Sequence, residues 1–367
     1  MRFFATAAKG TEPALRDELR EMRLTHVRAD RGGVHFEGDL VDAARACLWS
    51  RVAVRVLLEI SSFEARGERP LYDGVRAVEW DAWMTPRTTL SVRATCRSSR
   101  LTHSHFVAQK TKDAIVDGLR HKFGSRPSVD RDDPDVGVAI RLARDNATLY
   151  LDVGGASLHE RGWRTQAGVA PLRETLAAAV VRLSGWDRER PFMDPMCGAG
   201  TIAIEAAALA RSIAPGLSRS RFGFERWASY GDTLRAALID LRESARASAK
   251  NHGPLVLASD ADPRAVEWTR ANARRAGVDI VTLRRGVGEI EALEPPGLVV
   301  SNPPYGERLD LDPTLYAEMA RGIKSLRGHS VALLAGTSAI ARAMGRPPDR
   351  FFILYNGAIE CRLLVYG

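Results

Sequence analysis

Apolar and polar positions along the 367-residue chain follow two different rhythms. In the first, short alternating runs and amphipathic stretches interleave. FFATA predicts a strand, and Thr11 with Pro13 behind it predicts the cap and first turn of a helix reaching about Met22. Gly32-Gly33 turns the chain into the strand VHFEG, Asp39 caps a helix carrying Leu40, Ala43, Ala44, Cys47 and Leu48, and VAVRVLLEI is a β-branched strand. A second unit follows: a helix in LYDGVRAVEW, an alternating strand in TTLSVRATC, and a helix in HFVAQKTKDAIVDGLRHKF with Phe106, Ile115, Val116 and Leu119 on its apolar face. VGVAIRLARDNATLYLDV then predicts a hairpin turning at Asp145-Asn146.

From about residue 171 the rhythm changes to short apolar strands separated by helices: PLRETLAAAVVRLSGW, PFMDP, TIAIEAAALA, PLVLASD, PRAVEWTRANARRAG, DIVTLRR, GLVVSN, PTLYAEMARGIKSL and SVALLAGTS. Such alternation predicts a doubly wound parallel sheet with crossover helices. The last two runs, FFILY and ECRLLVY, are joined by a turn at Asn356-Gly357, too short for a parallel crossover, so they are expected to form an antiparallel hairpin. The predicted fold class is therefore α/β, a Rossmann-like sheet with a terminal antiparallel hairpin behind two smaller α+β units, and this arrangement resembles the layout of class I methyltransferases. The expected divisions are 1–60, 61–160 and 161–367.

Charge changes the picture of the middle unit. The chain carries 53 Lys and Arg against 45 Asp and Glu, a net charge of +8, and ten of those cations but only three Asp lie between Arg87 and Arg131. A polyanionic partner or a solvated helix face both account for the lysines, but arginines on the preceding strand (Arg93, Arg97) and the loop from Arg100 to His105 extend the charge beyond one face. Lys110, Lys112 and Arg120 are the helix candidates for RNA contact. Four scattered cysteines with no CxxC pair and no accompanying HxxxH point to no disulfide framework and no zinc site, in keeping with a reducing cytoplasm. No apolar run reaches the roughly 20 residues that span a bilayer.

Two loops carry candidate chemistry. Asp194-Pro195-Met196-Cys197-Gly198-Ala199-Gly200-Thr201 follows a strand and opens a helix, where ligands of open α/β sheets sit. Neither GxGxxG nor GxxxxGK[ST] is present, so an acidic residue followed by GxG suits a ligand with a cationic methionyl part and no phosphates; a plain tight turn is the alternative. At the next strand end, Asp260-Ala261-Asp262, the Asp260 carboxylate is placed to accept ribose hydroxyls and Asp262 to cap the following helix. The fourth strand ends in SNPPYGERL. A base amino nitrogen is a poor nucleophile because its lone pair is delocalised. The Asn302 carbonyl and the Pro303 carbonyl can accept its two N–H bonds and stabilise the charge that develops, the prolines stiffen the turn, and Tyr305 can stack on the ring. Such a loop serves adenine, guanine or glutamine amides alike. Between Arg211 and Trp227, arginines including Arg219 and Arg221 interleave with Phe222, Phe224 and Trp227. This is either a base-stacking surface or a lid packing its aromatics on the domain.

With these motifs GGVHFEGD, LWSRVAVR, KTKDAIVD, RPSVDRDDPD, LHERGWR and AGVAPLRETLAAAVV complete a pattern that runs nearly end to end and resembles the THUMP-containing guanine-N2 RNA methyltransferases, above all those acting on bacterial 23S ribosomal RNA. The resemblance implies a ferredoxin-like unit, an RNA-gripping THUMP domain and a methyltransferase domain using S-adenosylmethionine. By motif, Asp194, Cys197, Gly198 and Gly200 would line the cofactor with Pro195, Thr201, Ala261 and Asn302 beside it. Asp260 would hold its ribose, and Asn302, Pro303 and Tyr305 would form the base pocket with Glu307 and Arg308 in support. Arg161 and Arg164 would approach cofactor or RNA. The family's acidic adenine contact has no clear counterpart near Val287, Gly288 and Glu289. Transfer-RNA guanine methylation, or a silent RNA-binding assembly factor, are the alternative expectations; no metal is implied.

Overall fold

The computed structural model describes residues 1–165, 172–305 and 314–367. Its first half contains β1 (Arg2–Thr6), α1 (Glu12–Glu21), β2 (Thr25–Asp30), β3 (Gly33–Glu37), α2 (Leu40–Trp49) and β4 (Arg55–Glu64), then α3 (Glu68–Arg76), β5 (Thr89–Arg97), α4 (Ser104–Phe123), β6 (Ser128–Val129), β7 (Val136–Ala143) and β8 (Asn146–Asp152). These strands make one sheet in the order β2-β3-β1-β4-β8-β7-β5-β6. β4 is the shared plank: its first residues pair with β1 and its length pairs with β8. The expected division near residue 60 therefore falls inside a strand, at the register shift between Glu59 and Ser61.

Several local expectations are corrected. Thr11 does not cap α1 with its side chain; its hydroxyl donates to the Ala8 carbonyl, and Glu12 instead accepts the Gly10 and Gly32 amides. Asp39, by contrast, caps α2 as expected, in a reciprocal box with Asp42. The β7–β8 turn sits one residue earlier than expected, on Arg144-Asp145, both with positive φ (51° and 60°), as a two-residue hairpin with the strands' right-handed twist requires. α4 buries Val107 rather than Phe106 alongside Ile115, Val116 and Leu119.

The second half contains α5 (Glu174–Leu183), β9 (Phe192–Asp194), α6 (Thr201–Ala210), α7 (Asp232–Ala247), β10 (Val256–Asp260), α8 (Pro263–Ala276), β11 (Val281–Arg284), β12 (Leu298–Ser301), α9 (Leu315–Ser325), β13 (Ser330–Ala335), α10 (Ser338–Met344), β14 (Arg350–Asn356) and β15 (Ile359–Tyr366). The sheet order is β11-β10-β9-β12-β13-β15-β14, parallel except at β15. The strand order turns back between β9 and β12, which places the carboxyl ends of these two strands beside each other at the switch point where α/β folds bind ligands. The terminal hairpin is present, with Gly357-Ala358 as its connection.

The two halves share a core. Phe222, Phe224 and Trp227 pack into the cluster built by β1, β4, α2 and α4, and each buried Phe contributes about 1.5–3 kcal/mol. The Phe224 amide donates to the Val153 carbonyl and the Ala228 amide to Trp83. α7 extends the contact by resting Leu238 and Ala245 on the same cluster. Beneath this, Glu205 of α6 meets Arg51 and Arg161, both at 3.3 Å, while Arg161 also donates to the Arg51 carbonyl at 2.6 Å.

Candidate active site

The cofactor-type loop is fixed from three sides. From β10, Asp260 accepts the Gly198 amide on one carboxylate oxygen (3.0 Å) and the Asp262 amide on the other (3.0 Å), and the Ser259 carbonyl accepts the Cys197 amide. From α8, the Thr269 hydroxyl donates to the Gly198 carbonyl (2.9 Å) and Asn272 Nδ2 to the Ala199 carbonyl (3.0 Å). Gly200 has φ +82°, and a Cβ there would stand 2.7 Å from the Thr269 methyl. Only glycine meets both demands. Asp262 caps α8 through the Arg264 amide, as expected. Pro195 and Thr201 are buried, Ala261 is exposed, and Cys197 is a buried thiol whose pKa burial pushes up.

From β12 comes the third contact. The Ser301 hydroxyl donates to Asp194 Oδ1 at 3.2 Å, joining the ends of β9 and β12. Asp194 is only 1% exposed. Burial raises its pKa to about 7, against the partial relief of the Met196 amide and Ser301 hydroxyl, and the nearby Asp260 charge raises it further.

Asn302 follows Ser301. Its Oδ1 is buried and accepts no hydrogen bond from the described residues. A buried acceptor left open costs about 1–3 kcal/mol, a penalty retained where a ligand supplies the donor. Pro303 is buried, and the Pro304 carbonyl accepts the Tyr316 hydroxyl at 2.8 Å. The Tyr305 ring lies against Gly336 so closely that a Cβ there would be 2.2 Å from it, and its hydroxyl accepts Asn356 Nδ2 at 3.1 Å. Burial pushes the Tyr305 pKa up, so it is held neutral. Glu307 and Arg308 lie outside the described residues. Val287–Glu289 forms one 3₁₀ turn in which Val287 is buried and Glu289 accepts the Gly286 amide.

The expected RNA-contact residues fare unevenly. Phe222 has 0% exposure and cannot stack on a base; the lid alternative describes it, because Phe222 fills the shared core under Arg242. Arg161 is buried on Glu205, and Arg164 on Glu174 (3.1 Å) and the Thr201 hydroxyl (3.1 Å), so their charge is spent inside the molecule. Arg219 donates to the Ala156 and Ser157 carbonyls, and Arg221 pairs with Asp133. Arg93 is 2.7 Å from Asp152, Lys110 2.6 Å from Glu68 and Lys112 2.6 Å from Asp113. Arg97 and Arg120 are exposed. Thr269 and Asn272 belong to no local motif, and Ser301 opens the SNPPYG segment without a role of its own in the sequence reading: the importance of all three lies in contacts between segments far apart in the chain.

A class I methyltransferase sheet with a GxG loop and an Asn-Pro-Pro-Tyr loop at its switch point, behind a ferredoxin-like and a THUMP unit, is the class of protein that fold and site define. The RMKL-like methyltransferase domain family matches residues 161–364, the RlmL ferredoxin-like domain residues 2–57 and the THUMP domain residues 65–152. The chain belongs to this RMKL-like methyltransferase family. It is 42% identical to ribosomal RNA large subunit methyltransferase K/L of Syntrophotalea carbinolica, over 99% of this chain and 53% of that protein, and 43% identical to that of Methylococcus capsulatus, over 99% and 51%. The chain thus spans about half the length of these relatives. The crystal structure of SMU.472 complexed with SAH superposes with a TM-score of 0.88 at 33% identity, covering 100% of this chain and 97% of the other. Among the described residues, no helix is long and apolar enough to cross a membrane.

Proposed function

We propose that the chain transfers a methyl group from S-adenosylmethionine to the exocyclic N2 amino group of a guanine in 23S ribosomal RNA. The observation that carries this reading is the open, buried Asn302 Oδ1 at the end of β12, bridged through Ser301 and Asp194 to the cofactor loop. The SAH held by SMU.472 and the ribosomal RNA substrate in the names of the K/L relatives support it.

In this reading Asp194 and Asp260 hold the cationic and ribose ends of the cofactor, while Pro195, Cys197, Gly198, Gly200, Thr201 and Ala261 shape its bed. The cofactor supplies an electrophilic methyl on sulfonium. Asn302 Oδ1 and the Pro303 carbonyl accept the two N–H bonds of the base amine. They orient its nitrogen and stabilise the positive charge that grows there, after which the proton is acidic enough to leave without a strong base. Tyr305, clamped between Gly336 and Asn356, is a rigid wall for the extruded base.

Methyl-labelled cofactor and total RNA test it. Label is expected in N2-methylguanosine of the large-subunit RNA, and Asn302→Ala is expected to lower transfer by about 10²-fold or more while cofactor affinity stays near wild type. Label in transfer RNA, or in another nucleoside, refutes the substrate assignment; cofactor binding without transfer to any RNA leaves a silent assembly factor.

A further inference from the structure

Among the described residues Arg87, Arg97, Arg120, Arg126, Arg131 and Arg144 of the second unit are exposed without an ion pair, and only Arg97 and Arg144 of these share one loop cluster. The α4 lysines are engaged: Lys110 with Glu68, Lys112 with Asp113 and Lys122 with Asp81, each at 2.6 Å. At the end of the sheet where β4, β5 and β7 finish, three loops meet and are tied by their backbones. The Ala65 amide donates to the Asp145 carbonyl (2.7 Å) and the Arg144 amide to the Arg97 carbonyl (3.2 Å). The Arg100 amide donates to Asp145 Oδ1 (2.7 Å), and the Asp145 amide to Ser99 Oγ (3.0 Å). Ser98, Arg144 and Asp145 all hold positive φ, so the cluster has one defined shape.

Arg97 and Arg144 project from it exposed, and neither has a carboxylate partner among the described residues. Arg100 is 72% exposed with its nearest carboxylate, Asp145, at 4.0 Å. A cation already paired must give up its partner to meet a phosphate; these three lose little or nothing, and the tied loops carry little ordering cost.

We propose that this loop cluster, through Arg97, Arg100 and Arg144, is the principal phosphate-gripping surface for the RNA, in place of the α4 face. The inference rests on the RNA reading above. The cluster lies at the opposite end of β8 from Asp152, where the chain turns toward the methyltransferase half. Seven strand residues place the grip about 20 Å beyond that junction. The RNA would then touch this end of the sheet as well as the methyltransferase half, and contact there positions it without reading sequence.

The test compares RNA affinity against salt for the wild type, an R97Q/R100Q/R144Q variant and a K110Q/K112Q/R120Q variant. Removing one phosphate contact lowers the slope of log affinity against log salt by about 0.7–0.9. The loop variant is expected to lose about 2–3 in slope and at least about 10-fold in affinity at moderate salt. Its cofactor affinity should hold and its KM for RNA should rise; the α4 variant should lose less than about 1 in slope. An R97K/R100K/R144K variant, keeping the charge, should retain most of the slope. A wild-type chain that binds and methylates RNA while the loop variant keeps its slope overturns this inference alone, as does an effect confined to the α4 variant. A wild-type chain that binds no RNA overturns both readings.

Discussion

Asp194 offers a direct test of the electrostatics of the site. Its carboxyl is 1% exposed, with a hydroxyl and an amide as its polar partners among the described residues, and its pKa stands near 7. In the unfolded chain it titrates near 4. Below about pH 4 both states hold the proton and the group contributes nothing. Between about 4 and 7 only the unfolded chain has released it, so stability falls as pH rises. Above 7 the folded state carries a buried anion at a constant cost of about 4 kcal/mol, compared with about 2 kcal/mol at pH 5. Asp194→Asn removes this pH-dependent cost while keeping the shape. Whatever the amide gains or loses in local hydrogen bonds is the same at both pH values, so the difference between them isolates the charge. Urea unfolding of wild type and variant at pH 5 and pH 8, without cofactor, should show the variant gaining about 2–3 kcal/mol more, relative to wild type, at the higher pH. An identical offset at both pH values would refute the buried-anion argument. The opposite sign would mean that a cation faces the carboxylate and holds it ionised.

Two further substitutions probe the frame. Glu205→Ala removes the shared ion-pair partner of the buried Arg51 and Arg161 and should cost about 3–5 kcal/mol in urea unfolding, with Glu205→Gln recovering part; a loss under about 1 kcal/mol would show the network is not holding the halves together. Gly200→Ala forces a left-handed backbone onto alanine and drives its Cβ against Thr269, so calorimetric cofactor affinity should fall by about 10-fold or more for a strain of about 1–3 kcal/mol; wild-type affinity would mean the loop readjusts freely.

The parallel sheet, its closing hairpin and the two loops at the switch point were legible because short apolar strands that run into Asp194, Asp260 and Ser301-Asn302 are local patterns. α7 and α10 were not recognised. α10 is seven residues, too short for a periodic signal, and α7 buries only Leu238 and Ala245 of its 16 residues, too few for an apolar stripe. An ambiguity of composition explains Phe222 and Arg161. Aromatics beside arginines describe an open nucleic-acid surface and a docked lid equally well, and only burial separates them. That Arg93, Lys110 and Lys112 are paired depends on Asp152, Glu68 and Asp113; two of those partners come from other elements, beyond any window of sequence.

The aromatic insertion that enters the first half's core has a consequence for target choice. Phe222, Phe224 and Trp227 remove the freedom that a linker would leave, so a site on one half keeps a constant separation from a site on the other. If the loop cluster grips the RNA as inferred, the chain works as a fixed caliper: one jaw holds the RNA backbone, the other delivers the methyl group, and the base modified is the one lying at that span.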